Sequence, residues 1–145
     1  MRLRWVLVLC LVCLAIGAVV TWALTPRVVR IHAVCSIKTV GVGVYADQDC
    51  TIPVTSIDWG VMEPGETKGI TVFIRNEGNV PSTLNITTES WVPSEAQTYI
   101  TFTNNYNGSV LKPMDKVQVL FSLAIKSSIT GITQFSFDIV ITISG

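Results

Sequence analysis

Charge is scarce in this chain. Ten basic and ten acidic residues among 145 give a formal net charge of zero, and only 14% of side chains are charged. No long-range field therefore favours nucleic acid or an acidic substrate, and no nucleic-acid partner is expected. Histidine is scarcer still. His32 is the single one, and a base there would need a nucleophile held beside it, which neither Cys35 nor Ser36 evidently provides. A phosphate cradle is missing too, because Gly65 and Gly69 lack the spacing and the following helix that such a loop requires. No catalytic or cofactor-binding residue and no small-molecule substrate is identified, so the chain is not expected to be an enzyme.

Apolar residues, by contrast, make up 49% of the chain. Many lie in one uncharged block, Trp5 to Leu24, "WVLVLCLVCLAIGAVVTWAL". A helix of that length matches the roughly 20 residues needed to cross a bilayer. Trp5 and Trp22 lie near its ends, where indoles favour the headgroup region, and Arg2, Arg4, Arg27 and Arg30 flank it. A single membrane span retained as a signal-anchor is expected. The competing reading is a cleaved signal peptide, for which Thr21-Trp22-Ala23 is a poor small-x-small site and the run is longer than a usual h-region. Leu9 and Val12 precede Cys10 and Cys13, where a lipoprotein signal would want a small residue. Inside an apolar helix these two cysteines read as lipid-facing or packing residues, with reversible acylation as the minor alternative.

Arginines on both flanks leave the positive-inside rule nearly silent. Two N-glycosylation sequons, at Asn85 ("NIT") and Asn107 ("NGS"), and two cysteines in the polar part favour a location outside the membrane for the C-terminal domain. The expected organisation is a transmembrane helix over 1–25, a juxtamembrane connector over 26–36 and one domain over 37–145.

That domain alternates with period two. Val117, Val119, Phe121, Leu123 and Ile125 share one face, and Phe135, Phe137, Ile139, Ile141 and Ile143 share another. Ile70, Val72 and Ile74, then Leu84 and Ile86, then Ile100 and Phe102 give three shorter strands. A first strand is predicted over Ile37 to Tyr45, with Val40, Val42 and Val44 opposite Gly41 and Gly43. Turn signals at Pro64, Asn76, Val92, Tyr106, Lys112 and Ser127 separate these runs. No helical periodicity competes outside the membrane segment. About seven short strands predict an all-β fold, an immunoglobulin-like antiparallel β-sandwich preceded by one N-terminal transmembrane helix. The Cys…Trp…Cys arrangement of antibody domains is absent, since no cysteine follows Trp59.

"GVMEPGETKGITVFI" and "GSVLKPMDKVQVLFS" form a weak internal repeat, each with Gly, an apolar pair, Pro, an acidic residue and a long alternating strand. Proline fixes φ for a turn and the chain then enters a sheet, so both read as structural corners.

"IKTVGVGVY", "CTIPVTSIDWGVMEPGETKGITVFIRNEGNVPSTLNI", "YITFTNNYNG" and "GITQFSFDIVI" resemble a family of small archaeal membrane-anchored proteins, over nearly all of Ile37 to Ile143. More distantly, the "WG…PGE…V.IRNEGN" pattern is similar to adhesion-related and hydin-like immunoglobulin modules. The resemblance implies an extracytoplasmic β-sandwich on a membrane anchor, and it carries no active site onto these positions.

Three features retain candidate chemistry. Asp47 and Asp49 in "YADQDC" are weak candidates for a calcium loop, which needs more oxygen ligands than the segment evidently supplies. Glu63 and Glu66 beside Pro64 read as solvated turn charges. Cys35 and Cys50 are candidates for a disulfide, which would stabilise by about 3 kcal/mol. A straight Ile37–Tyr45 strand would hold them apart, so the bridge demands a bend at Gly41-Val42-Gly43. Trp59 and Trp91 are expected as core or corner anchors, the alternative being an exposed tryptophan that marks a binding surface, and the sequence does not decide between them. The function expected from these features is a non-catalytic structural or interaction module at the membrane surface, with other envelope proteins or a second copy as partner. The alternatives are a secreted filament subunit assembling by strand exchange after signal cleavage, and a calcium- or glycan-binding surface module.

Overall fold

The computed structural model describes residues 29–144. The expected span Trp5–Leu24 with Cys10 and Cys13, the flanking Arg2, Arg4 and Arg27, and Pro26 lie outside those residues. Among the described residues no helix is long and apolar enough to cross a membrane.

Eight strands and a single-turn helix follow one another: β1 (Ile31–Val40), β2 (Val42–Tyr45), β3 (Ser56–Met62), β4 (Thr67–Asn76), β5 (Thr83–Val92), α1 (Ala96–Tyr99), β6 (Ile100–Asn104), β7 (Lys116–Ile125) and β8 (Gln134–Ser144). They form two four-stranded sheets, ordered β3-β1-β8-β5 and β2-β4-β7-β6. The architecture is a β-sandwich. Alternation along β7 and β8 holds as read: Val119, Phe121, Leu123 and Ile125 are buried from one sheet, Phe135, Phe137, Ile139 and Ile141 from the other.

The N-terminal part departs from expectation. Instead of one strand over Ile37 to Tyr45, the chain makes two strands in different sheets, broken at Gly41. Gly41 has φ +75°, and a Cβ there would come within 2.5 Å of Ile143 Cδ1, so only glycine fits the corner. Val42 and Val44 are buried in the second sheet, whereas Val40 is 67% exposed. Strand β1 also begins at Ile31, so the boundary drawn at 37 falls inside it and much of the expected connector is sheet. Ile31, Ala33 and Cys35 are buried there. β1 lies between β3, antiparallel, and β8, parallel from His32↔Gln134 to Val40↔Thr142. The sandwich is therefore not wholly antiparallel.

Trp59 and Trp91 are both in the core, each beside a bulge. The β1–β3 register shifts between Ala33 and Val34, opposite Trp59 and Gly60. The β5–β8 register shifts between Glu89 and Val92, around Trp91, with Ser90 at φ 55°. The shift turns Trp91 inward, where it stacks on Phe137 with ring centroids 4.3 Å apart. Phe137 meets Phe102 of the opposite sheet at 5.9 Å, and Phe102 meets Phe121 at 5.3 Å. This aromatic contact ties the two sheets together.

The internal repeat is a real structural duplication. Glu66 N–H donates to the Glu63 carbonyl at 3.0 Å, and Asp115 N–H donates to the Lys112 carbonyl at 2.9 Å. In each turn the acidic side chain returns to the first residue: Glu63 N–H donates to Glu66 Oε2, and Lys112 N–H to Asp115 Oδ2. Gly65 and Met114 occupy the same position with φ of 85° and 67°. The strands that follow, β4 and β7, pair with each other.

Candidate functional site

The "DQD" loop is held by its own atoms. Asp47 accepts hydrogen bonds from Thr51 N–H at 2.9 Å, Thr51 Oγ1 at 2.7 Å and Ile52 N–H at 2.7 Å. Partial desolvation would raise its carboxyl, but these donors outweigh that and hold it below its ordinary value. The Gln48 carbonyl, the backbone oxygen lying between the two aspartates, accepts from Lys116 Nζ. A protein ammonium thus already sits at the loop, while Asp49 is exposed. Among the described residues no group of three or more His, Cys, Asp or Glu side chains is gathered as a metal-ligand set.

Cys35 and Cys50 are free and buried in different surroundings. Cys35 is paired in register with Ile57 on one side and Phe137 on the other, in the middle of the first sheet. Burial pushes its thiol up, against the opposing influence of the Trp59 indole and the Ile57 backbone. The Trp59 indole N–H itself makes no hydrogen bond of good geometry. Cys50 lies in the loop after β2, with φ 55° and its sulfur 3.9 Å from the Gln48 carbonyl. The bend that a bridge would require exists at Gly41, yet it sends the chain into the other sheet.

His32 is on the outward face of β1, with Nε2 3.7 Å from Asp58 Oδ1. Glu66 serves the turn described above and lies 3.9 Å from Lys68 Nζ. Lys68 also donates to the carbonyls of Trp59 and Val61 at 3.0 and 2.7 Å, capping the outer edge of β3 from the opposite sheet. Such an edge lysine blocks further strand addition.

Two polar clusters were not evident in the sequence. Lys38 bridges Asp138 at 2.8 Å and Glu89 at 3.0 Å on the outward face of the first sheet, which depresses the Asp138 carboxyl. On the second sheet Arg75 stacks over the Tyr45 ring at 4.7 Å and pairs with Glu77 at 2.8 Å. The Tyr45 hydroxyl also donates to Glu77, and these donors hold that carboxyl low. A hollow of about 380 Å³ lined by Pro93, Glu95, Tyr99, Thr130, Gly131 and Ile132 opens at the end where the chain enters β1. Its lining contains one carboxylate and one phenol.

The opposite end is different in kind. Val40 ends β1 there, and the Gly41 carbonyl accepts from Glu77 N–H at 3.0 Å, which brings the β4–β5 loop alongside. Val80, Val110 and Met114 belong to loops around Asn76: Asn76 Nδ2 donates to the Val80 carbonyl, and the Asn76 carbonyl accepts from Met114 N–H at 2.8 Å. All four apolar side chains are more than half exposed, from 51% at Val80 to 67% at Val40. Singly exposed apolar residues are ordinary, and these four fall around one end of the sandwich.

Both sequon asparagines are exposed. Asn85 is in β5, opposite Thr142 of β8, and Asn107 is in the loop after β6. No family model matches this chain, and no curated protein matches it closely enough to count as a relative.

Proposed function

We propose that the protein is a membrane-anchored, extracytoplasmic immunoglobulin-like module that acts without catalysis, as a structural or protein-interaction element of an archaeal cell envelope. What supports an immunoglobulin-like form is two four-stranded sheets around a core that holds a stacked tryptophan. The observation that carries the function is the apolar end of the sandwich. Val40, Val80, Val110 and Met114 lie at the end of β1 remote from the anchor side, and ten strand residues separate the two ends by about 33 Å. A module so oriented offers its apolar end away from the bilayer, to another envelope protein.

Photo-crosslinking tests this reading. A photoreactive residue at Met114, in the full chain in its own membranes, is expected to capture one discrete protein partner, while the same residue at Gln134 near the opposite end captures none. Equal, diffuse labelling from both positions would overturn it.

Strand exchange between secreted subunits is the second reading, and one observation favours it. β1 is a central strand, flanked by β3 and β8, that is joined to β2 through the single residue Gly41. A neighbour's copy would fill the same slot. The intact mass of the native protein separates the two: a chain starting at Met1 supports the anchor, and a start between Leu24 and Cys35 supports release.

A further inference from the structure

Two sequons with the same motif differ in what the folded domain does with them. Asn85-Ile86-Thr87 is locked into the sheet: Asn85 pairs with Thr142 and Thr87 with Val140, and Ile86 between them packs against the core. Presenting Asn85 to an enzyme as a bent tripeptide would require stripping β5 from β8. Asn107-Gly108-Ser109 makes no strand pairing. It is already a turn, in which Ser109 N–H donates to Asn107 Oδ1 at 3.1 Å. Gly108 takes φ +81°, and a Cβ there would meet no atom within 4 Å, so the middle of the tripeptide faces open space.

The turn is presented on a fixed base. Tyr106 OH accepts from Leu84 N–H of β5 at 3.1 Å and donates to the Ser109 carbonyl. Leu111 then pairs with Ser82, closing the loop against the side of the sandwich. One residue pins each end, and the sequon between them is left free of the sheets.

We propose that Asn107 is the N-glycosylation site of this domain and that Asn85 is left unmodified, an inference that rests on the extracytoplasmic location proposed above. The donor class is a lipid-pyrophosphate-linked oligosaccharide. The Asn107 Nδ2 attacks the anomeric carbon, the new N–C bond forms as the C–O bond to pyrophosphate breaks, the lipid pyrophosphate leaves, and one amide proton passes to a base of the transferase. Asn107 Oδ1 remains the acceptor of the Ser109 turn.

Peptide mapping of the full chain from its own membranes tests the assignment. Cleavage after glutamate separates the two sequons, because Glu89 and Glu95 lie between them. The expected result is a hexose-scale mass excess wholly on the Asn107 peptide, abolished in Asn107→Gln and unchanged in Asn85→Gln. Excess on the Asn85 peptide, alone or with Asn107, would overturn the inference, as would no excess on either. Labelling of intact cells with a membrane-impermeant amine reagent distinguishes the two failures. A labelled domain without glycan sinks only the Asn107 assignment, whereas an unlabelled, unglycosylated one sinks the external location as well.

Discussion

Asn76 Nδ2 donates to the carbonyl of Leu111, 35 residues further along the chain, at 2.9 Å. Asn76 is fully buried, and every part of its amide is used: Nδ2 also donates to the Val80 carbonyl, and Oδ1 accepts from Gly78 N–H, both at 2.9 Å. One side chain therefore reinforces the Ser82–Leu111 bridge where two loops meet at the apolar end. Removing it would leave Gly78 N–H without its acceptor, while the Leu111 and Val80 carbonyls would keep only the bonds they receive from Ser82 N–H and Ser82 Oγ. Asn76→Ala is expected to cost about 2 kcal/mol, read from urea unfolding of the chain from Val29, because a buried polar group without a partner costs about 1–3 kcal/mol and two further hydrogen bonds are lost. A loss under about 1 kcal/mol would mean that the loops pair without it.

The position of β1 sets the limits of the folding unit. A chain begun at Ile37 lacks the first six residues of β1, including the buried Ile31, Ala33 and Cys35, and opens a slot between β3 and β8. Burying a side chain the size of isoleucine contributes about 1.5–3 kcal/mol, and the strand pairing is lost as well. The chain from Val29 is expected to unfold cooperatively in urea, and the chain from Ile37 to be unfolded or aggregated. Equal midpoints for the two would show that the sandwich does not depend on the first half of β1.

The duplicated turns differ at one chemically telling position. Gly65 and Met114 both hold positive φ, but methionine has a Cβ that disfavours this region. Met114 is also 64% exposed, so its side chain contributes little packing. Met114→Gly is expected to stabilise by up to about 1 kcal/mol, and Gly65→Ala to destabilise by about 1 kcal/mol, both from thermal or urea melts. Opposite signs in the pair are the check on the assigned turn.

Asp47, Glu77 and Asp138 all have carboxyls held low. Each binds its proton less readily folded than unfolded, so its contribution is present above the unfolded value, about pH 4, and is lost as pH falls through the folded one. Melting temperature is expected to be level from pH 7 to about pH 5 and to fall in more acid solution. Glu77→Gln should lie below the native chain at pH 7 and converge with it in acid. Parallel curves at every pH would remove Glu77 from the acid limb.

Much of this architecture was legible because period-two alternation is local. The inward faces of β4, β7 and β8 follow from side chains that point to opposite sides in turn, and the two proline corners follow from fixed φ and an acidic residue in reach. The candidate sites were less legible. "NEGN" read as a turn, and nothing local distinguishes Asn76 as buried, since the loop that closes over it brings Leu111 from 35 residues away. Lys116 was not visible as the cation at the "DQD" loop, because it is 68 residues from Gln48.

The sequence by itself determined an all-β domain, the faces of its long strands and the two matched corners, since each depends on backbone geometry within a few residues. Only the tertiary structure decided which sheet receives each half of the chain from Ile31 to Tyr45, that β1 runs parallel to β8, and that Trp91 turns inward. Continued alternation from Leu84, Ile86 and Thr88 would have sent Trp91 to solvent. The bulge at Ser90 reverses that, and a bulge is set by register against a partner strand some fifty residues away, which no local pattern records.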